Sequence, residues 1–306
     1  MNSHDHSHAN PGETHRGPLL VALLITVTIL IAEIVGSALT GSLALLIDAA
    51  HMLTDAGGLA MALLAATLAK RPTTAQRTWG FARAEVLAAT AQAVVLLGVG
   101  LYVFIEGAQR LFRPAEIQSE LMVWFGVIGL VGNVVAIFVL LGSRSANFNL
   151  RAAFLEVVND ALGSVAVIVA AIIIALTGWY AADAVVAMLI GVLIVPRTLK
   201  LLRETIDVLL ERAPAGLDMD AVRTHLLTQD HVIGVHDLHA TQVSSGLPVL
   251  SAHIVLDDSC FLDGHAPLIL SQLQDCVADH FAVAVDHSTF QLESASHREH
   301  THTLHT

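Results

Sequence analysis

The sequence predicts an α-helical membrane protein with six transmembrane helices and a C-terminal cytoplasmic α+β domain of ferredoxin-like type. Three observations predict it. The 306 residues are 55% hydrophobic and only 14% charged, a membrane composition rather than a soluble one. Six apolar stretches lie before residue 200, each near the roughly 20 residues that cross a hydrocarbon core. Beyond Pro214 the pattern changes to short alternating and amphipathic runs.

The apolar stretches run over 19–39, 43–68, 85–111, 119–142, 152–176 and 180–200. Gly41-Ser42 makes a very short first connection, Arg113-Pro114 breaks the third stretch, and Thr177-Gly178 turns the fifth back. Lysine and arginine gather on one side. With the N-terminus inside, the cytoplasmic flanks carry Arg16, Lys70, Arg71, Arg77, Arg83, Arg144, Arg151, Arg197, Lys200 and Arg203. The outer flanks carry only Arg110 and Arg113, so both termini are expected in the cytoplasm. Glu106 and Arg110, four residues apart, are expected to pair at a helix end.

The soluble part reads as a helix over 218–229, strands over 232–243 and 248–257, an amphipathic helix over 264–281 and a strand over 284–293. That α-β-β-α-β order suits a small two-layer ferredoxin-like domain. The expected organisation is a histidine-containing tail to residue 18, a transport domain over 19–204, a cytoplasmic domain over 205–295 and a histidine-rich tail over 296–306. The net charge of −12 argues against nucleic acid as a partner and suits the handling of cations. Cys260 and Cys276 form no CxxC; two reduced thiols or one disulfide both fit. The first 18 residues have no apolar core and are not a signal peptide.

Of 17 histidines, only His51 falls between residues 16 and 224. It sits in the second stretch with Asp55, one helical turn on, and Asp48, three residues back, all on one face. In the fifth stretch Glu156 and Asp160 repeat the i,i+4 spacing, with Asn159 and Ser164 nearby. A charge at bilayer depth costs roughly 2.5–3.5 kcal/mol on insertion scales, so ionisable residues there mark function by default. One imidazole and three carboxylates converging between two helices make a four-ligand cage for a divalent cation. Asp48 and Asn159 are candidates for orienting those ligands from behind. Metal needs the imidazole neutral and the carboxylates ionised, so protons and metal compete for the same atoms. That competition is the physical basis of a proton-coupled exchanger.

These residues resemble those of the cation diffusion facilitator family. The matching text is Gly41-Ser-Leu-Ala-Leu-Leu-Ile-Asp-Ala-Ala-His51-Met-Leu-Thr-Asp55, Trp79-Gly-Phe-Ala-Arg83-Ala-Glu85, and Ala153-Phe154 through Asp160 to Ser164. In the soluble part it is Val235-His236-Asp237-Leu238-His239, Ser251-Ala252-His253 and His287-Ser-Thr-Phe-Gln-Leu-Glu293. The likeness covers nearly the whole chain and is strongest to bacterial zinc, cadmium and cobalt exporters. It implies a homodimer in the bacterial inner membrane that exchanges metal for protons by alternating access. It implies a transport site on His51, Asp55, Glu156 and Asp160, and zinc as both substrate and regulatory ligand, the latter at His236, His253, His287 and Glu293. Two departures matter. Exporters of this type usually carry histidine where this chain has Glu156, and the harder donor set widens the metals accepted towards manganese, iron or cobalt. The loop from Lys70 to Ala84 has no histidine or acid, so no metal site is expected there.

Among the other soluble histidines, His231, His265 and His280 carry a weaker signal, and those of the tails suit weak metal capture. The leading expectation is secondary-active efflux of divalent transition metals rather than enzyme activity. A membrane metal sensor signalling through the soluble domain is the alternative, although no kinase, cyclase or DNA-binding motif accompanies it. An intramembrane metalloenzyme would need HExxH or a comparable set, and Met52 follows His51.

Overall fold

A computed structural model describes residues 16–68, 74–141, 148–244 and 246–296. The tail histidines, Lys70, Arg71 and Arg144 lie outside the described residues. The chain divides into two compact units, one from residues up to 63 together with 91–201, the other from 64–90 together with 202 onward.

Among the described residues the first unit holds six long helices: α1 (Arg16–Thr40), α2 (Leu43–Leu68), α3 (Ala82–Phe112), α4 (Ser119–Leu141), α5 (Phe148–Thr177) and α6 (Ala181–Leu209), with the ends of α2, α3 and α6 assigned to the second. The shortest has 23 residues, about 34 Å at 1.5 Å per residue, enough for a hydrocarbon core of about 30 Å. Among the described residues, α1, α3, α4, α5 and α6 are long and apolar enough to cross a membrane; the side chains of α2 are described only through Gly57. Leu101, Trp124, Phe138, Leu162 and Leu193 point outward, each more than half exposed. So much outward apolar surface suits lipid rather than water.

The inside is close-packed around Leu43, Leu45, Ile47, Met122, Val167 and Ala170. Small residues bring α1, α4 and α5 together: Gly36 lies under the Phe125 ring, and Gly126 lies against Ile168. The α1–α2 turn is locked by polar contacts. Gly41 takes φ +73°, a left-handed conformation that glycine adopts without strain, and its N–H donates to Ser37 O at 2.9 Å. Ser42 then caps α2: its hydroxyl accepts from Leu45 N–H at 3.1 Å and donates to the buried Asp183 of α6. Asp183 also accepts from the N–H groups of Leu43 at 2.7 Å and Ala44 at 3.1 Å. A carboxylate at a helix N-terminus satisfies orphan donors and faces the positive end of the dipole. The expected Glu106–Arg110 pair forms at 2.9 Å, and Arg110 also donates to Gly41 O at 2.6 Å.

The second unit contains α7 (Met219–Leu227), β1 (Val232–Gln242), β2 (Pro248–Leu256), α8 (Ser259–Leu262), α9 (Ala266–Asp279) and β3 (His287–Ser294). The helix expected over 264–281 is α9, and a short α8 that the sequence reading does not include precedes it, with Gly264 at φ +84° between them. The sheet order is β1-β2-β3, with β1 antiparallel and β3 parallel to β2. Side chains alternate across a strand. Leu250, Ala252, Ile254 and Phe290 therefore face the core with Val222, Leu226, Leu273 and Val277 of the helices. The intervening positions, among them His253, Gln291 and Glu293, share the opposite face of the sheet. Cys260 and Cys276 are free and buried in the core.

Candidate metal centre

In the membrane-spanning unit, α2 presents His51 and Asp55 one turn apart, and α5 presents Glu156 and Asp160 in the same way. The two pairs meet. Nε2 of His51 lies 3.5 Å from Asp55 Oδ2 and 3.8 Å from Asp160 Oδ1. One ligand atom from each of these three residues lies within 4.8 Å of the others. Separations of 3.5 Å and more are too long for strong hydrogen bonds. His51 Nδ1, Asp55 Oδ2 and Asp160 Oδ1 are buried without a hydrogen-bond partner. Buried polar atoms that converge without satisfying one another are costly unless a cation draws them together. Ligand distances of about 2.0–2.2 Å would do so.

Glu156 is adjacent but engaged. Its carboxylate takes a two-pronged contact from Arg197 of α6, Nη1 to Oε1 at 2.8 Å and Nη2 to Oε2 at 3.2 Å. It also shares a hydrogen bond with Asp55. Arg197 follows Pro196, which interrupts the hydrogen-bond ladder of α6. From the sequence Arg197 counted only as a flank charge. Its signal was a guanidinium at the end of an apolar stretch, directly after a proline.

The structure does not place Asp48 behind His51. Asp48 is buried and hydrogen-bonded to Glu33 of α1, a residue also almost fully buried. A Cβ on Gly163 would lie 2.9 Å from Asp48 Oδ1, so only glycine lets α5 come this close. Asn133 donates to Ser164 Oγ at 3.4 Å beside this pair. Asn159 is exposed, rotated by one residue away from Asp160 on the helix.

A second cluster lies on the open face of the small sheet. His236 and His253 pair directly across β1 and β2, and Glu293 follows two residues after Gln291, the partner of His253 on β3. Glu293 holds both imidazoles: Oε2 is 3.0 Å from His236 Nε2, and Oε1 is 2.9 Å from His253 Nδ1. Gln291 Nε2 also donates to Oε1 at 2.8 Å. A bulge in β1 between His236 and His239 carries Asp237 at φ +50°, and its carboxylate lies 3.6 Å from His253 Nε2. His287 does not join this trio. It is four positions from Gln291 along β3, roughly 13 Å of strand, and its ring meets Trp79 edge-on with centroids 4.8 Å apart.

Comparison with known proteins gives a consistent picture. Residues 19–210 match the family model described as the cation efflux transmembrane domain, and residues 214–295 match the cytoplasmic domain of cation efflux proteins. The chain is 42% identical over 290 residues to the metal cation efflux system protein CzcD of Cupriavidus metallidurans, covering 95% of this chain and 90% of that protein. It is 35% identical to the zinc transporter ZitB of Escherichia coli, covering 95% and 92%. It is 33% identical to the cadmium, cobalt and zinc/H(+)-K(+) antiporter of Bacillus velezensis, covering 96% and 93%.

Proposed function

The chain belongs to the cation efflux family, the cation diffusion facilitators, and from that premise we propose that it exports divalent transition-metal cations, zinc foremost, in exchange for protons. The proposed protomer has six spans, a ferredoxin-like cytoplasmic domain and both termini in the cytoplasm, and it works as a homodimer in the bacterial inner membrane. The names of its relatives, a metal efflux protein, a zinc transporter and a proton-linked antiporter, support the substrate and the coupling.

The observation that carries the site is the convergence of His51, Asp55 and Asp160 from two helices, with ligand atoms within 4.8 Å and three of their polar atoms buried without hydrogen-bond partners. His51 supplies a nitrogen, and Asp55 and Asp160 supply oxygens. Glu156 becomes the fourth ligand when Arg197 releases it. In the absence of metal, Arg197 supplies positive charge to a carboxylate that metal would otherwise neutralise. Metal entry requires the carboxylates ionised, and protons reaching the same oxygens displace the metal. With three oxygens and one nitrogen, the cage accepts manganese, iron or cobalt more readily than a site with two histidines, while His51 keeps zinc favoured. His236, His253 and Glu293 form a regulatory zinc site rather than part of the transport path.

Reconstituted vesicles loaded with a pH-sensitive dye test this reading. Zinc moving in one direction should move protons in the other, and an imposed pH gradient should accelerate zinc flux. Zinc flux with no pH response, indifferent to the gradient, would overturn antiport and indicate a channel.

A further inference from the structure

A third group of metal-ligating side chains lies in the cytoplasmic domain, away from the face that carries His236, His253 and Glu293. His225 lies in the last turn of α7, Cys276 in the last turn of α9, and His280 caps α9. One ligand atom from each lies within 4.8 Å of the others. We propose that His225, Cys276 and His280 form a thiolate-containing site for a soft divalent cation, zinc or cadmium, that clips α7 to the C-terminal end of α9.

The local chemistry is arranged for it. Cys276 and His280 are four residues apart, so they point from one face of α9. Nδ1 of His280 lies 3.2 Å from the Cys276 carbonyl oxygen. A carbonyl can only accept, so Nδ1 carries the proton and the lone pair is on Nε2. This is the tautomer and outer hydrogen bond that metal-ligating histidines ordinarily show. His225 is held by its backbone: its carbonyl accepts from Thr228 N–H at 3.1 Å and Thr228 Oγ1 at 2.7 Å. Its ring lies 5.2 Å from that of His280 and meets the edge of Phe281 at 5.6 Å. Phe281 shields one side of the pair, while the exposed His280 ring leaves the other open to water.

Two ligands on one tetrahedral cation sit roughly 3.5 Å apart, so small side-chain rotations close the group. Burial pushes the Cys276 thiol up from its ordinary value and keeps it protonated and unreactive. Metal binding forms the sulfur–metal bond and releases that proton to solvent. Three protein ligands leave a fourth position for water. One sulfur and two nitrogens select zinc and cadmium over manganese or magnesium, the opposite bias to the oxygen-rich cage in the membrane. A site joining two elements also stabilises the domain whenever metal is present.

The experiment titrates cadmium into the full-length protein in detergent and follows ultraviolet charge-transfer absorption from thiolate to cadmium. Metal at sites without cysteine is silent in this signal. The chain has two cysteines, so the Cys260→Ser variant should keep the band and the Cys276→Ser variant should lose it. His225→Gln and His280→Asn should each require roughly tenfold more cadmium or beyond, since even outer-shell losses cost 10–100-fold. These two variants keep the decision open should Cys276→Ser fold poorly. No band in the parent protein, a band that follows Cys260 instead, or a cadmium affinity unmoved in both histidine variants would overturn the proposal.

Discussion

The transmembrane cluster and the sheet cluster use nearly the same residues and arrange them in opposite ways. Each has histidine and carboxylate ligand atoms within 4.8 Å of one another. On the sheet, Glu293 sits 2.9 and 3.0 Å from its two imidazoles. The carboxylate there satisfies both imidazoles directly, and His236 Nδ1 alone of the trio's polar atoms is buried without a partner. In the membrane cluster the corresponding distances are 3.5 Å within α2 and 3.8 Å from α2 to α5, and polar atoms are left without partners. Metal at the sheet must displace good hydrogen bonds, whereas metal in the membrane supplies contacts that are otherwise missing. The difference follows from the backbone. Neighbouring strands about 4.8 Å apart bring side chains into mutual contact, while His51 meets Asp160 across a gap between helices that pack about 8–10 Å apart and meets Asp55 one turn along its own helix. The self-satisfied cluster suits a site that responds to metal level, and the unsatisfied one suits a site through which metal passes.

The largest effect is expected where the membrane cage is anchored. Asp183→Ala removes the acceptor for Ser42 Oγ and for the N–H groups of Leu43 and Ala44. Losing this buried cap should cost about 3 kcal/mol, read by reversible unfolding in mixed micelles. Cadmium-free zinc binding at the sheet cluster should be unchanged. A cost below about 0.5 kcal/mol would mean that Asp183 does not hold α2 in place.

A middle-sized effect is expected at Arg197. Arg197→Ala removes the guanidinium that competes with metal for Glu156. Arg197 is 63% exposed, so solvent screening limits the pair to about 1 kcal/mol, and zinc affinity in the membrane site should rise about fivefold. Calorimetry on a protein that also carries His236→Ala and His253→Ala isolates this site. A fall in affinity would show that Arg197 positions Glu156 for metal rather than withholding it. Glu156→His should act on selectivity more than on rate. Zinc-to-manganese and zinc-to-cobalt flux ratios should both rise, because a second nitrogen disfavours the harder ions. Unchanged ratios would mean that residue 156 never reaches the metal.

Much of this was legible in the sequence. The apolar runs match α1 to α5 to within about four residues at each end, because length and hydropathy dominate in lipid, whereas α6 continues nine residues past the expected 200 to Leu209. Intramembrane charge is so rare that spacing alone singles out His51, Asp55, Glu156 and Asp160 as a candidate set, of which the structure clusters His51, Asp55 and Asp160. The engagement of Glu156 by Arg197 was not legible, because it depends on how α6 packs beside α5. Asp48 looked like a partner of His51, since both share a face of α2. The structure pairs it with Glu33 of α1, and Gly163 of α5 lies against the same carboxylate. On the sheet, the family resemblance groups His287 with His236 and His253, and only the register shows that it stands four positions from their row. Asp183 went unremarked because a lone acid at the start of a helix looks like ordinary N-terminal charge.

The division of labour between the two clusters is tested most directly by zinc flux in one vesicle preparation. Asp55→Ala and Asp160→Ala should each abolish flux while the protein still inserts and dimerises. The His236→Ala, His253→Ala double variant should retain flux at saturating zinc and lose only the response to low zinc. Near-parental flux in both aspartate variants, or lost flux at saturating zinc in the histidine variant, would contradict the account.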